Sequence, residues 1–260
     1  MSLTRQICIC GGGGLGHTCA AVVSSHPEGE VTMYTQHPDK WQQPFIVDDP
    51  KGKQYVGMLK TISNNPADII PTADIILFCL PAFMVEQTLE TIKPYLSSKT
   101  IVGSVVGNTG FFIFAHKVLA DQPIGLFAFQ RVPYISRVVE YGKKASLLGY
   151  KDKLLIATEF ISNPQEFCND ISMLFCTPTI LLQTFYEVTL SNSNPILHTG
   201  RLYSMWKDWN GEHYKNNSLF YTSWTDEASA LLIKMDQEFF CLLDKLGVST
   251  EHLPTLLQHY

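Results

Sequence analysis

The chain has 260 residues, 45% hydrophobic and 17% charged, with a formal net charge of −5. That length allows one large or two modest domains, and the apolar content can fill a substantial core. An acidic balance without a basic run excludes a nucleic-acid binder, and the longest apolar run, residues 75–85, is broken by Pro81 and too short to cross a bilayer.

The first predicted strand, residues 6–10, runs into four glycines, Leu15, Gly16 and His17. Gly11, Gly13 and Gly16 have the G-x-G-x-x-G spacing, with Gly14 between them, and a helix of small and apolar residues follows over 15–25. A strand, this glycine spacing and a helix together form a dinucleotide-binding turn. The first glycine permits the tight turn, the second lets backbone approach a diphosphate, and the third lets helix and strand pack closely. The helix start then offers free N–H groups and its positive dipole end to the phosphates. His17 falls in the first helical turn, where it packs or caps. The N-terminus reads as strand and glycines, not as a signal peptide.

Further strands are predicted at 31–35, 75–80, 101–106 and 125–129, with a helix over 84–95. Continuous apolar runs suit strands covered on both faces, and the alternation gives a doubly wound parallel sheet, an α/β Rossmann domain. Residues 144–160 read as two strands joined through 149–153, and 179–183 as one more. From Phe185 the chain reads as helices, so the expected division is 1–184 and 185–260, the second part all-helical. Residues 225–246 carry a 3.6-residue apolar stripe. Thr225 is the predicted N-cap, Asp226 and Glu227 lie in the first turn, Lys245 in the last, and Gly247 ends the helix. A last helix is expected from Ser249.

There are seven cysteines, an odd number without a C-x-x-C pair. Cys8, Cys10 and Cys79 lie in predicted buried strands, which reads as a reducing, cytoplasmic setting. No histidine spacing suits a metal. The apolar content leaves room for a subunit interface, a homodimer being the simplest.

In sheets of this kind ligands sit at the carboxyl ends of strands. Leu80, Pro81 and Ala82 follow one strand and can line a coenzyme; a strand stop and helix start explain them equally well. Asn108 and Arg131 follow two others. Arg131 can hold a carboxylate through its planar fork, or be an ordinary surface arginine. In the helical half, His198 in Asn194-Pro195-Ile196-Leu197-His198 can exchange a proton near neutral pH. Asn194 joins Asn108 and Arg131 as a candidate substrate contact. The end of the second strand, Tyr34-Thr35-Gln36-His37, carries neither the acid that suits NAD nor the base that suits NADP. Tyr203, Trp206, Trp209 and Trp224 are read as pocket or core, with at least two in the core.

Four stretches, CGGGGLGHT from Cys10, DIILFCLPAF from Asp74, VPYISRVVEYGKKASLLG from Val132 and HTGRLYSMWKDWNG from His198, resemble the opine dehydrogenases, especially the octopine dehydrogenase group. The resemblance implies a Rossmann domain with a helical substrate domain. It implies reductive joining of an amino acid to a 2-oxo acid with NAD or NADP as coenzyme. The family's catalytic histidine falls on His198, with Thr199 in place of the usual proline after it. The family continues well past a position like Tyr260, and that later part supplies an arginine and the aspartate paired with the histidine. Glu187, Asp208 and Asp226 are the carboxylates available to take that place. The alternatives are a ketopantoate or glycerol-3-phosphate type of reductase using Lys207 or Lys234, and a dinucleotide-binding sensor without catalysis.

Overall fold

A computed structural model describes residues 4–107 and 110–251. The chain divides into two compact units, Met1–Thr189 and Leu190–Tyr260. The first unit contains, in chain order, β1 (Arg5–Cys10), α1 (Gly14–Ser24), β2 (Gly29–Tyr34), β3 (Phe45–Asp48), β4 (Gln54–Gly57), β5 (Ile62–Ser63), β6 (Ile75–Phe78), α2 (Ala82–Ile92), β7 (Ile101–Ser104), α3 (Phe111–Val118), β8 (Gly125–Phe129), β9 (Tyr134–Glu140), β10 (Lys144–Tyr150), β11 (Leu154–Glu159), α4 (Pro164–Leu174), β12 (Thr179–Leu181) and α5 (Phe185–Thr189).

The large sheet has the order β12-β11-β8-β7-β6-β1-β2-β5. From β5 to β8 every pairing is parallel, and β11 then runs antiparallel to β8. Chain order reverses between β1 and β6, which makes their carboxyl ends the switch point where doubly wound sheets open a crevice. The register sets Tyr34, Cys10, Phe78 and Ser104 level at that edge. β6 and β8 are buried at every residue, as strands covered on both faces must be. Alternation in β1 sends Ile7 and Ile9 into one core with α1 and α4, and Cys8 and Cys10 into the other with α2 and α3.

A second sheet, β4-β3-β10-β9, covers the far side of α1. The two predicted strands of residues 144–160 are β10 and β11, and they lie in different sheets. Because α1 lies between two sheets, Gly16 through Val23 are all buried. Its sequence carries no charged residue on any face, the pattern of a helix without a solvent side. β3, β4, β5 and β9 are short or flanked by polar residues, and the hydropathy pattern misses them.

The second unit contains α6 (Asn194–Trp206) and α7 (Asp226–Lys245), packed on each other. α7 starts where its cap predicts: the Thr225 hydroxyl accepts from the Ala228 N–H at 3.2 Å. It ends before Gly247, which has a φ of +63°. The helix expected from Ser249 lies mostly outside the described residues. The break between units falls after Thr189 rather than after residue 184, because α5 is tied to the first unit. Glu187 is buried, its Oε2 accepts the N–H groups of Gln183 and Thr184 at 2.9 Å each, and its carbonyl accepts from Gln130 Nε2 at 3.0 Å.

Candidate coenzyme site and the helical unit

β1 ends at Cys10, and Gly11 takes a φ of +109°, a conformation that favours glycine. Its N–H donates to the Tyr34 carbonyl at 3.0 Å, which fixes the turn to the tip of β2. A Cβ on Gly16 would sit 1.8 Å from the Gly11 carbonyl oxygen, so α1 can close on the strand ends only with glycine there. A Cβ on Gly13 would meet nothing within 4 Å. That face of the turn is open, as close approach of a ligand to the backbone requires. The first-turn N–H groups of α1 point to the same side.

Two clefts meet at this turn. One, about 230 Å³, lies over Gly11, Gly12 and Gly13 between the tip of β2 (Thr35, Gln36, His37) and Tyr141. The other, about 350 Å³, runs from Gly13 and Gly14 past Pro81 to Val105, Val106 and Arg137. Gly13 and Leu80 line both. The described lining residues include no carboxylate, so nothing there repels a diphosphate. This open, glycine-floored, elongated cradle fits a dinucleotide. A larger cavity, about 500 Å³, opens beside the start of β8, with walls from α3 and the His116–Glu159 pair. It has no glycine turn or helix start, and the chemistry belongs with the two smaller clefts.

The β9–β10 turn folds over the glycines through His17. Gly142 N–H donates to His17 Nε2 at 2.8 Å, so the ring proton resides on Nδ1, which donates to the Gly13 carbonyl at 2.9 Å. The ring stacks on Trp41 at 4.3 Å. Burial holds its pKa below the ordinary 6.5, against a smaller opposite pull from the Gly13 and Gly12 carbonyls. This histidine is a neutral clip, as its position in the first turn predicts. Beside it the Tyr141 hydroxyl hydrogen-bonds the Thr35 hydroxyl at 2.8 Å, closing the wall of the first cleft. Burial is the main cause that pushes the Cys10 thiol well above its usual range, while for Cys79 a contact with Cys19 leads and burial adds to it. These cysteines are apolar packing groups. Among the described residues no cluster of three His, Cys, Asp or Glu has metal-holding geometry.

Of the predicted contacts, Gly11, Gly13, Gly14, Leu80 and Pro81 line the clefts, and Gly16 packs beneath them. Ala82, the exposed first residue of α2, lines neither. Asn108 lies outside the described residues. Arg131 is half-buried just past β8 and is engaged by other groups. Tyr141 and Arg137 were not anticipated. The signal for them was the polar turn inside VPYISRVVEYGKKASLLG, whose place over α1 only the second sheet reveals.

In the helical unit, Asn194 and His198 stand four residues apart on α6, hence on one face, and both are exposed. The His198 ring meets Phe220 edge-on at 5.3 Å. Among the described residues no carboxylate lies within hydrogen-bond reach of it. Asp208 and Asp226 are exposed and Glu187 caps its own helix. On the same helix Leu197, Gly200 and Arg201 are buried, with Arg201 one turn beyond His198. Arg201 is a scaffold cation: Nε donates to the Phe220 carbonyl at 2.9 Å, Nη2 to the Ser223 carbonyl at 2.6 Å, and Trp224 stacks over it at 5.2 Å. Tyr203, Trp206 and Trp209 are exposed, against the expectation of core placement, and Trp224 is half-buried. Among the described elements α6 packs chiefly on α7, and one apolar stripe suffices for that contact. Lys207 pairs with Glu227, whose hydrogen bond raises its pKa and holds it charged.

The fold and the glycine turn are those of dinucleotide-binding α/β proteins, and a helical unit follows them in the chain. Residues 7–107 match the family model of ketopantoate reductase PanE/ApbA, and residues 181–260 match that of NAD/NADP octopine/nopaline dehydrogenase, alpha-helical domain. The chain is octopine dehydrogenase-like in sequence and in fold. It is 26% identical to octopine dehydrogenase of Mizuhopecten yessoensis, over 88% of this chain and 61% of that one. It is 27% identical to tauropine dehydrogenase of Arabella iricolor, over 92% and 64%. An octopine dehydrogenase structure in complex with NADH and agmatine superimposes with a TM-score of 0.85 at 22% identity, covering 99% of this chain and 69% of that one. The chain thus spans about three-fifths of the length of the curated relatives it matches.

Proposed function

We propose that this chain is the coenzyme and histidine part of an opine dehydrogenase, which uses NADH or NADPH to condense an amino acid with a 2-oxo acid. The observation that carries this is the open Gly13 face between two clefts, in a chain whose 181–260 match the octopine/nopaline dehydrogenase helical domain. The first unit would bind the coenzyme, and the second would bring His198 and Asn194 to the substrates. Gly11, Gly13, Gly14 and Leu80 would hold the dinucleotide, with Pro81 beside its nicotinamide end. The bound coenzyme would supply the hydride that reduces the imine formed when amine and ketone lose water.

His198 is the proposed general acid and base, moving the proton on the reacting nitrogen or oxygen. Asn108, Arg131 and Asn194 are the proposed substrate contacts. Holding donor and acceptor at near-attack distance would supply much of the acceleration. With no acid at the tip of β2, Thr35, Gln36 and His37 can face the ribose of NAD or NADP. A cytoplasmic setting, which the seven free cysteines suit, and a homodimer are proposed with this reading.

The test is oxidation of NADH and NADPH by the chain with a panel of amino acids plus pyruvate. Turnover that requires both substrates supports the reading. Turnover with a 2-oxo acid alone would favour a simple reductase. Saturable coenzyme binding without turnover on any pair would favour a sensor.

A further inference from the structure

The geometry points to Arg137 as the side chain that neutralises the coenzyme diphosphate. This inference rests on the dinucleotide reading above and adds a residue that the glycine motif does not contain. β9 crosses the first turn of α1 so closely that a Cβ on Gly14 would lie 3.1 Å from the Ser136 carbonyl oxygen and 3.4 Å from Arg137 Cα. Arg137 Nη1 donates to that same Ser136 carbonyl at 3.1 Å, which folds the guanidinium back toward the glycine turn. Arg137 lines the second cleft together with Gly13, Gly14 and Pro81.

A guanidinium carries five N–H donors in a fixed fork that suits phosphate oxygens. The Ser136 carbonyl is its one hydrogen-bond acceptor among the described residues, and it is in none of their ion pairs. A helix start supplies only about half a positive charge, against two negative charges on a diphosphate. Arg137 is the only lysine or arginine among the described residues lining either cleft. Among the described lining residues it is therefore the side chain placed to add positive charge. The second sheet gains a role by this: it covers α1 with its inner face and places a cation at the mouth of the turn.

The test titrates ADP-ribose and whichever of NADH and NADPH binds into the full chain and its Arg137→Gln and Arg137→Lys variants, at low and high salt. Arg137 is exposed, so the variants should melt as the unaltered chain does. The expected result is that Arg137→Gln weakens both ligands by a common factor of roughly ten to a hundred. Arg137→Lys should recover part of the loss. Salt should weaken binding to the unaltered chain more than to Arg137→Gln. Equal ADP-ribose affinity in all three proteins overturns the assignment, as does unchanged coenzyme affinity with a raised KM for the 2-oxo acid. If Arg137→Gln fails to fold, the Lys variant and the salt dependence of the unaltered chain decide. Failure of the unaltered chain to bind either coenzyme overturns the dinucleotide reading itself, which the Arg137 variants alone cannot do.

Discussion

His17 and His198 both lie early in a helix, and their surroundings differ in every respect that matters to proton transfer. His17 is fully buried, stacked on Trp41, with both ring nitrogens in hydrogen bonds. His198 is exposed, touched by one aromatic edge, with no carboxylate in reach among the described residues. A ring whose two nitrogens are used up, and whose burial disfavours the charged form, is a structural clip. An exposed ring is open to a substrate, and among the described residues no carboxylate orients it. The glycine turn is thus held fixed by its hydrogen bonds and packing, whereas α6 carries Asn194 and His198 exposed.

The largest expected effect sharpens that contrast. His198→Ala should lower turnover by roughly a hundredfold to ten-thousandfold, with coenzyme affinity unchanged in a fluorescence titration. Equal turnover in the variant would remove His198 from the mechanism. On the rigid side, Gly16→Ala drives a Cβ against the Gly11 carbonyl. A loss of about 3 kcal/mol in chemical denaturation, the upper part of the overpacking range, is expected. An unchanged midpoint would show that the turn yields.

Glu187→Ala should cost about 2 kcal/mol, because two N–H groups lose their buried acceptor. If its cost is nil, α5 is not anchored as described. The smallest effect is on pH. The His17 pKa is lower folded than unfolded, so the unfolded chain binds more protons and stability falls as pH drops below the ordinary value of 6.5. Urea midpoints between about pH 6.5 and 5 should decline in the unaltered chain and decline less in His17→Phe. Parallel curves would mean that burial does not lower the pKa of this ring in the folded chain.

The two regions were unequally legible in the sequence. The parallel sheet and glycine turn followed from continuous apolar strands and glycine spacing, because both are local patterns. The α7 boundaries followed from Thr225 and Gly247 for the same reason. The second sheet did not, since its strands alternate polar and apolar residues and pair across about 100 residues of chain, as Ile46 does with Lys144. One clue was readable: a helix without a polar face, α1, needs cover on both sides. Tyr141 and Arg137 depend on that sheet and were missed with it. The exposure of Tyr203, Trp206 and Trp209 was equally unreadable, because aromatic content alone does not say how many neighbours a helix has.

The most direct test of the central claim is mass spectrometry of the product formed from an isotopically labelled amino acid, pyruvate and reduced coenzyme. The account predicts a secondary amine containing both carbon skeletons, formed one for one with coenzyme oxidised. Lactate accumulating while the labelled amino acid is returned unchanged would contradict it.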